Sequence, residues 1–241
     1  MPRFFCPLPL HIGAQFDLPA HTAHHVFVLR LRVDDQIEIF NGEGGSYLAR
    51  LTSVEKKRVS VEILEFQATE AELPFSLTLA QALPEGSKMD WIIEKAVELG
   101  VQQIQPLAAQ RCVVKLHADR AEKKLEHWRG IIVAASEQCG RNRLAQLETP
   151  SEVQKFSATA TSSQRILLSP RATQSLALWA QQQTPQAVTF LIGPEGGFTD
   201  AEENEAVRQG ALMLSMGPRI LRTETAGLAA ISVLSAAWGG L

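Results

Sequence analysis

The chain has 241 residues, of which 45% are hydrophobic and 20% charged, with a formal net charge of −3. This length and composition indicate a globular protein of one large or two small domains. The small negative charge argues against a general polyanion binder. No apolar run reaches about 18 residues, so no membrane-spanning helix is predicted. The three cysteines lie far apart, without zinc or disulfide spacing, and we expect a reducing, cytoplasmic location.

The N-terminal part of the chain has the pattern of a small β-barrel. Alternating or apolar runs separated by turn residues predict strands at residues 37–40, 47–51 and 59–64. A helix over about 19–29 is predicted before them and contains His21, His24 and His25. Because no carboxylate or thiol lies near these histidines in the sequence, no metal site is predicted. Residues 67–74 are polar and form the predicted linker.

From residue 75 onward, predicted strands alternate with predicted helices. The strands are expected at 75–80, 101–107, 165–169, 188–192 and from Leu212, and the helices at 89–99, 120–137, 175–183, 199–209 and near the end of the chain. This alternation predicts an α/β fold whose mostly parallel sheet is covered on both faces. Residues 131–135 are apolar on every side of their helix, and we expect them to be buried.

The stretch at residues 188–202 is the most informative. An apolar strand runs into Gly-Pro-Glu-Gly-Gly at 193–197, and Thr199 with Glu202 forms the capping box of the next helix. Glycines let the backbone approach a ligand, and open α/β sheets bind ligands at the carboxyl ends of their strands. The loop lacks phosphate-binding motifs, and Glu195 would repel phosphate, so a nucleoside-like or cationic ligand fits better. The alternative interpretation is a tight turn before a helix, without a ligand.

A second strand-to-helix turn has several polar residues at the entrance of the last helix. Residues 217–225 are Gly-Pro-Arg-Ile-Leu-Arg-Thr-Glu-Thr, and residues 191–197 are Leu-Ile-Gly-Pro-Glu-Gly-Gly. These two motifs closely resemble those of the bacterial 16S rRNA (uracil-N3)-methyltransferases of the RsmE type, which belong to the SPOUT class of S-adenosylmethionine enzymes. The resemblance covers nearly the whole chain. It departs at Gln110, where the family usually has an acid, and at Met216.

The resemblance implies a SPOUT-type parallel sheet with a C-terminal trefoil knot, preceded by a small PUA-like β-barrel. The RNA-binding barrel is expected at residues 1–72 and the methyltransferase domain at 73–241. The implied activity is S-adenosylmethionine-dependent methylation of N3 of a specific uridine in 16S rRNA, within the 30S subunit. A homodimer is also implied. The small residues of the last helix are compatible with tight packing, either on the sheet or across a subunit interface.

The resemblance also assigns site residues. The cofactor residues that it implies lie in three strand-to-helix loops: Leu168, Ser169, Pro170, Ile192, Gly193, Pro194, Glu195, Gly196, Gly197, Met216, Gly217, Ile220, Leu221 and Thr225. The catalytic candidates are Arg222, to hold a phosphate or a uracil oxygen, and Glu224, to accept the N3 proton. Glu224 also suits a helix N-terminus without any catalytic role. Thr223 and Thr225 are suited equally to capping the helix and to contacting the substrate.

The RNA-binding candidates are all arginines. They are Arg30, Arg32, Arg111, Arg141, Arg143 and Arg219. Residues 111–143 contain eight Lys/Arg against four acids, a local charge of +4 that would suit RNA phosphates. Within its helical part, a solvated helix face explains the charges equally well.

Three other functions are compatible with parts of the sequence. A related SPOUT enzyme would act on a different RNA nucleotide. A catalytically inactive RNA-binding protein would retain the adenosyl pocket, although intact Arg222 and Glu224 disfavour it. A dinucleotide-dependent oxidoreductase is disfavoured because Gly-x-Gly-x-x-Gly is absent.

Overall fold

The computed structural model describes residues 1–113 and 118–241. The chain divides into two compact units, one formed by residues 1–71 and 136–144 and the other by residues 72–135 and 145–241. The expected domain boundaries were 1–72 and 73–241. They placed residues 136–144 in the second domain, whereas the structure places them in the first unit. Local sequence patterns could not predict this assignment, because it follows from packing between distant segments.

The first unit contains a sheet and one helix. Its elements are β1 (Arg3–Phe5), β2 (Gln15–Asp17), α1 (Ala20–Val28), β3 (Gln36–Phe40), β4 (Ser46–Val54) and β5 (Val59–Gln67). The strands follow the order β1-β3-β4-β5-β2, and every pair is antiparallel except β1 with β3. Alternate residues such as Ile37, Ile39, Val59 and Val61 point into one apolar core. The predicted helix and three strands are confirmed, whereas β1 and β2 were missed because three residues carry little periodicity.

The second unit alternates strands and helices around a parallel sheet. Its elements are β6 (Leu77–Ala82), α2 (Lys88–Glu98), β7 (Gln103–Ala108), most of α3 (Ala118–Cys139), β8 (Gln146–Leu147), β9 (Ser151–Glu152), α4 (Val153–Ala158), β10 (Gln164–Leu168), α5 (Leu176–Gln182), β11 (Val188–Ile192), α6 (Asp200–Arg208), β12 (Leu212–Leu214) and α7 (Thr223–Trp238). The strand order is β12-β10-β11-β6-β7-β8, with β9 also on β7. All pairs are parallel, as predicted.

Burial in the second unit follows the layer arrangement. Every residue of β11 is buried, as expected for a central strand covered on both faces. The expected burial of the whole run 131–135 is wrong: Ile132 and Ala135 are buried, but Ile131 and Val133 are half-buried and Ala134 is exposed. The helix packs only one face, and the buried positions recur at the spacing of that face.

The segment 136–144 is bonded to the first unit through Arg3. The Arg3 guanidinium donates to the carbonyl oxygens of Ser136 at 2.7 Å and Arg141 at 2.8 Å, and to the Asn142 side chain. Asn142 Nδ2 donates in turn to the carbonyl oxygen of Thr69 at 2.6 Å. These bonds satisfy backbone groups of an irregular segment that would otherwise be buried without partners.

Among the residues that the structure describes, no helix is both long enough and apolar enough to cross a lipid bilayer.

Candidate functional site

A cavity of about 370 Å³ opens where three parallel strands end. The strands are β10, β11 and β12, which are neighbours in the sheet, so the loops after them meet at one edge. The volume lies within the range of small-molecule sites, about 300–1,000 Å³. The residues that line it come from these loops and the first turn of α7: Leu168, Ser169, Pro170, Ile192, Gly193, Pro194, Glu195, Met216, Gly217, Arg219, Ile220, Leu221, Arg222, Thr223 and Ala226.

The expected cofactor residues largely coincide with this lining. Gly196, Gly197 and Thr225 are the exceptions, and Thr225 is exposed. The arginines Arg219 and Arg222, expected to contact RNA or substrate, also line the cavity. Thr223 and Ala226 line it without having been predicted as cofactor residues. Their spacing of three residues on a helix places both on one face, which is the signal that would have found them.

The glycine-rich loop is a tight turn held by its own backbone. Gly197 has φ of +68°, and its N–H donates to the carbonyl oxygen of Pro194 at 2.8 Å. A Cβ at Gly193 would lie 3.0 Å from the backbone nitrogen of Phe198. The loop is therefore a tight turn, and Gly193 also lines the cavity, so the turn does not exclude a ligand. The Thr199–Glu202 capping box is confirmed after the turn.

Thr223 links helix α7 to the glycine-rich loop and to β6. Its buried hydroxyl donates to the carbonyl oxygen of Gly193 at 2.6 Å and accepts from Gln81 Nε2 at 2.9 Å. Of the two alternatives for Thr223, helix capping is wrong, because the N-cap position is Arg222 and no side chain makes the cap bond. The hydroxyl instead joins β6, the glycine-rich loop and the first turn of α7.

The Glu195 side chain bonds to the loop that follows β6. Its Oε1 accepts from Lys88 Nζ at 2.5 Å and from the backbone N–H of Glu85 at 3.0 Å. Partial burial acts to raise the pKa of Glu195, but the hydrogen bonds from Lys88 and from backbone N–H groups outweigh it, so the pKa is lowered. The sequence predicts a strand at 75–80 and a helix at 89–99, but the loop between them was not connected to the site. Because it also follows a parallel strand, its position at this edge could have been predicted.

Arg111 supports the glycine-rich loop from outside. Its Nη1 donates to the carbonyl oxygens of Gly196 at 2.8 Å and Phe198 at 3.3 Å. The neighbouring Gln110 N–H donates to Glu202 Oε1 at 2.9 Å, so its backbone makes the contact with α6. The Arg111 side chain remains exposed, and its contact with RNA stays a prediction.

Arg219, Arg222 and Glu224 lie in the segment that leads into α7 and in its first turn. Arg219 and Arg222 line the cavity, whereas Glu224 is not among the residues that line it. Both arginines are exposed. Glu224 Oε2 is buried and has no hydrogen-bond partner among the described residues. A buried carboxylate oxygen without a donor is costly, and such an atom in a native structure calls for an explanation such as a ligand or a water.

The remaining arginine candidates lie in the first unit. Arg30 and Arg32 are exposed. Arg143 is exposed and lies 3.4 Å from Glu70. The expectation that Arg141 contacts RNA is wrong for this conformation, because the residue is only 2% exposed. Packing of 136–144 into the first unit removes its guanidinium from the surface.

Two other expectations concern the histidines and the basic segment. His21, His24 and His25 are exposed, and no cluster of potential metal ligands occurs among residues 1–113 and 118–241. Within the basic segment, Lys115 lies outside the described residues.

Comparisons with known proteins identify the family. Residues 71–235 match the model of the RNA methyltransferase domain, and residues 18–64 match the RNA methyltransferase PUA domain. The ribosomal RNA small subunit methyltransferase E of Bacillus subtilis is 32% identical over 98% of this chain and 96% of its own length. The corresponding protein of Buchnera aphidicola (strain Sg) is 32% identical over 100% of this chain and 98% of its own.

Two solved structures are similar over their whole lengths. The ribosomal RNA small subunit methyltransferase E of Neisseria gonorrhoeae, bound to S-adenosyl methionine, has a TM-score of 0.92 and 38% identity, covering 99% of this chain and 98% of that one. A methyltransferase of Legionella pneumophila, also with bound S-adenosyl methionine, has a TM-score of 0.93 and 37% identity, covering 98% of each chain. Together with the cavity, these matches show that the chain belongs to the RNA methyltransferase family that includes the ribosomal RNA small subunit methyltransferase E proteins.

Proposed function

We propose that this protein transfers a methyl group from S-adenosylmethionine to N3 of a specific uridine in 16S rRNA of the small ribosomal subunit. The observation that supports this best is the cavity at the joined ends of β10, β11 and β12, in a chain 38% identical to an S-adenosyl-methionine-bound relative. The choice of uracil N3 rests on the motifs at 191–197 and 217–225.

The cavity has the chemistry to hold an adenosyl cofactor. Ile192, Met216 and Leu221 provide apolar walls, and glycines expose backbone polar groups beside them. At Gly217, φ is +97° and the space where a Cβ would lie is open to 4 Å, so a ligand can approach the main chain there. The cofactor, when bound, supplies an activated methyl group on a sulfonium. The protein must align the acceptor atom with that methyl group and exclude water.

The residues at the entrance of α7 suit the acceptor. Uracil N3 bears a proton on the Watson–Crick edge, so the base must be unpaired or flipped before transfer. The planar fork of Arg222 would hold a phosphate or a uracil oxygen, and Arg219 would assist it. Glu224 would accept the N3 proton. In support of this role, Glu224 Oε2 has no hydrogen-bond partner among the described residues, although Glu224 does not itself line the cavity.

The RNA would extend from the cavity to basic residues elsewhere. In the second unit, the exposed Arg111 and Arg219 remain candidates for phosphate contacts. In the first unit, the candidates are the exposed Arg30, Arg32 and Arg143. Arg30 and Arg32 lie within the match to the RNA methyltransferase PUA domain. The substrate would be 16S rRNA within the 30S subunit, in the cytoplasm.

We also propose a trefoil knot and a homodimer. In support of the knot, α7 follows the edge strand β12 yet packs against α2, α5 and the inner strand β11. In support of the dimer, the outward face of α7 consists of small or apolar residues, which allow close helix approach: Ala229, Ser232, Val233, Ala236 and Ala237. Light scattering of the purified protein tests the dimer, and a monomer at micromolar concentration would contradict it.

The test of the activity is transfer of label from S-adenosylmethionine to 30S subunits that lack N3-methyluridine. We expect label in N3-methyluridine after nuclease digestion. Label in another nucleotide would indicate a related enzyme with a different target. Cofactor binding without any transfer would indicate an inactive RNA-binding protein.

A further inference from the structure

Gln81 is a polar residue near the end of β6, and it does not itself line the cavity. It is fully buried, with an exposure of 0%. Its side-chain nitrogen Nε2 donates two hydrogen bonds, to the carbonyl oxygen of Ala82 at 2.9 Å and to Thr223 Oγ1 at 2.9 Å. The oxygen Oε1 has no hydrogen-bond partner among the described residues. Because a buried acceptor without a donor costs stability, stability alone gives no reason for a glutamine at this position.

The hydrogen bonds of Gln81 have a fixed direction. A carbonyl oxygen can only accept, so the atom that faces Ala82 O must be the amide nitrogen. Both protons of this nitrogen are then used, one of them by Thr223 Oγ1. Thr223 therefore accepts from Gln81 and gives its only hydroxyl proton to the carbonyl oxygen of Gly193, at 2.6 Å. The amide, the hydroxyl and the carbonyl form one chain in which each bond polarises the next.

This hydrogen-bond chain ends at the cavity. Gly193 and Thr223 both line it, one from the loop after β11 and the other from the first turn of α7. One turn further along α7, a Cβ at Gly227 would lie 3.1 Å from Leu79 Cδ1 and 3.8 Å from Gln81 Oε1, so the helix lies close against β6. The chain thus joins β6, the glycine-rich loop and α7, and the last two form walls of the cavity.

We propose that Gln81 is a positioning residue for the cofactor. Through Thr223 it holds the glycine-rich loop and the first turn of α7 at the separation that S-adenosylmethionine requires. The inference rests on the proposed function for the identity of this ligand. A ligand does not have to order walls that are already held in place, so less of its binding free energy is lost. Without Gln81, the Thr223 hydroxyl is free to turn away from Gly193, and the two walls are free to move.

The first test is the Kd for S-adenosylmethionine in Gln81→Met, measured by calorimetry. Methionine is similar to glutamine in length but has no donor for Thr223 or Ala82. Loss of the bond to Thr223 should raise Kd by about tenfold, which is the order of effect of one net hydrogen bond on an equilibrium constant. A Kd equal to that of wild type would overturn the inference.

Gln105→Met is the matched control. Gln105 lies on the neighbouring strand β7 and is also buried, and its Nε2 also donates to two oxygens, the carbonyls of Pro106 and Thr149, at 2.8 Å each. It does not line the cavity. Urea denaturation measures the stability of each variant, and only Gln81→Met should change Kd. An equal rise of Kd in both variants would contradict a positioning role, because Kd would then follow the loss of a buried amide in general.

A double-mutant cycle tests whether Gln81 acts through Thr223. The cycle combines Gln81→Met with Thr223→Val and compares the Kd of the double variant with those of the single variants. If the two residues form one chain, Thr223→Val should raise Kd by less than about twofold in the Gln81→Met background. In the Gln105→Met background it should have its full effect. Additive effects of Gln81→Met and Thr223→Val would show that Gln81 does not act through Thr223.

A readout without ligand separates this inference from the proposed function. The N–H groups of Thr225 and Ala226 bond to the carbonyl oxygen of Arg222 in the first turn of α7. After correction for global stability, their hydrogen exchange in the free protein, followed by NMR, should be about tenfold faster in Gln81→Met than in Gln105→Met. This result supports positioning of α7 by Gln81 even if wild type binds no S-adenosylmethionine and the proposed function fails. Equal exchange in the two variants would show that Gln81 does not position α7.

Discussion

Two arginine-bearing segments, 136–144 and 217–223, are alike in the sequence and differ in the structure. The first contains Arg141 and Arg143, and the second contains Arg219 and Arg222. Arg141 is buried and its carbonyl oxygen accepts from Arg3, whereas Arg219 and Arg222 are exposed at the wall of the cavity. An arginine that is buried is not accessible to a ligand in this conformation. The two segments therefore differ in which arginines are accessible to a ligand, although their composition does not distinguish them.

The largest expected effect is that of Arg222→Ala on methyl transfer. We expect kcat to fall by about 100-fold or more, the effect of removing a donor that stabilises developing charge. The exposed side chain makes no packing contribution that would change the melting temperature. Arg208→Ala is the control, since Arg208 is also exposed but pairs with Glu205 on α6. Wild-type activity in Arg222→Ala would show that the accessible Arg222 has no role in methyl transfer.

Arg141→Met should mainly affect folding. Arg141 is 2% exposed, so the substitution removes the buried contacts of its side chain, and we expect the free energy of unfolding to fall by about 3 kcal/mol. Urea denaturation measures this loss. Activity per folded molecule and affinity for 30S subunits should stay near wild type. If RNA affinity falls while stability does not, Arg141 reaches RNA after a rearrangement.

Thr223→Val tests the bond between α7 and the glycine-rich loop. The change keeps the volume but removes a buried hydroxyl with two hydrogen bonds, so we expect a loss of about 1–3 kcal/mol in stability. Because the Gly193 carbonyl lies at the cavity, the Kd for S-adenosylmethionine should also rise. Thr223→Ser keeps the hydroxyl and serves as the control. An equal Kd for S-adenosylmethionine in Thr223→Val and wild type, measured by calorimetry, would show that the bond between Thr223 and the glycine-rich loop does not affect ligand binding.

Arg143→Ala should have the smallest effect on stability. Its partner Glu70 lies 3.4 Å away and the arginine is exposed, so the pair contributes at most about 0.5 kcal/mol. If Arg143 contacts an RNA phosphate, the slope of log K for RNA binding against log salt concentration should become shallower by about one in Arg143→Ala. A filter-binding series at several salt concentrations measures the slope. An unchanged slope would show that Arg143, like Arg141, does not contact an RNA phosphate.

Local patterns were sufficient for much of the second unit. The β11 strand, the tight turn at 193–197 and the Thr199–Glu202 capping box each depend on residues close together in the chain, and all three are confirmed. The run 131–135 failed because an apolar sequence does not say which helix face finds a partner. The roles of the site residues stay predictions, although most of the expected cofactor residues lie around one cavity.

The sequence by itself determined the parallel α/β alternation and the loops that end its strands, since strand and helix periodicity and turn chemistry are local. Only the tertiary structure decided which charges are available and which are paired. Lys88 and Glu195 are 107 residues apart yet form one ion pair, and Arg3 reaches carbonyl oxygens more than 130 residues away. Burial and charge pairing depend on which distant segments pack together, and no local pattern contains that information.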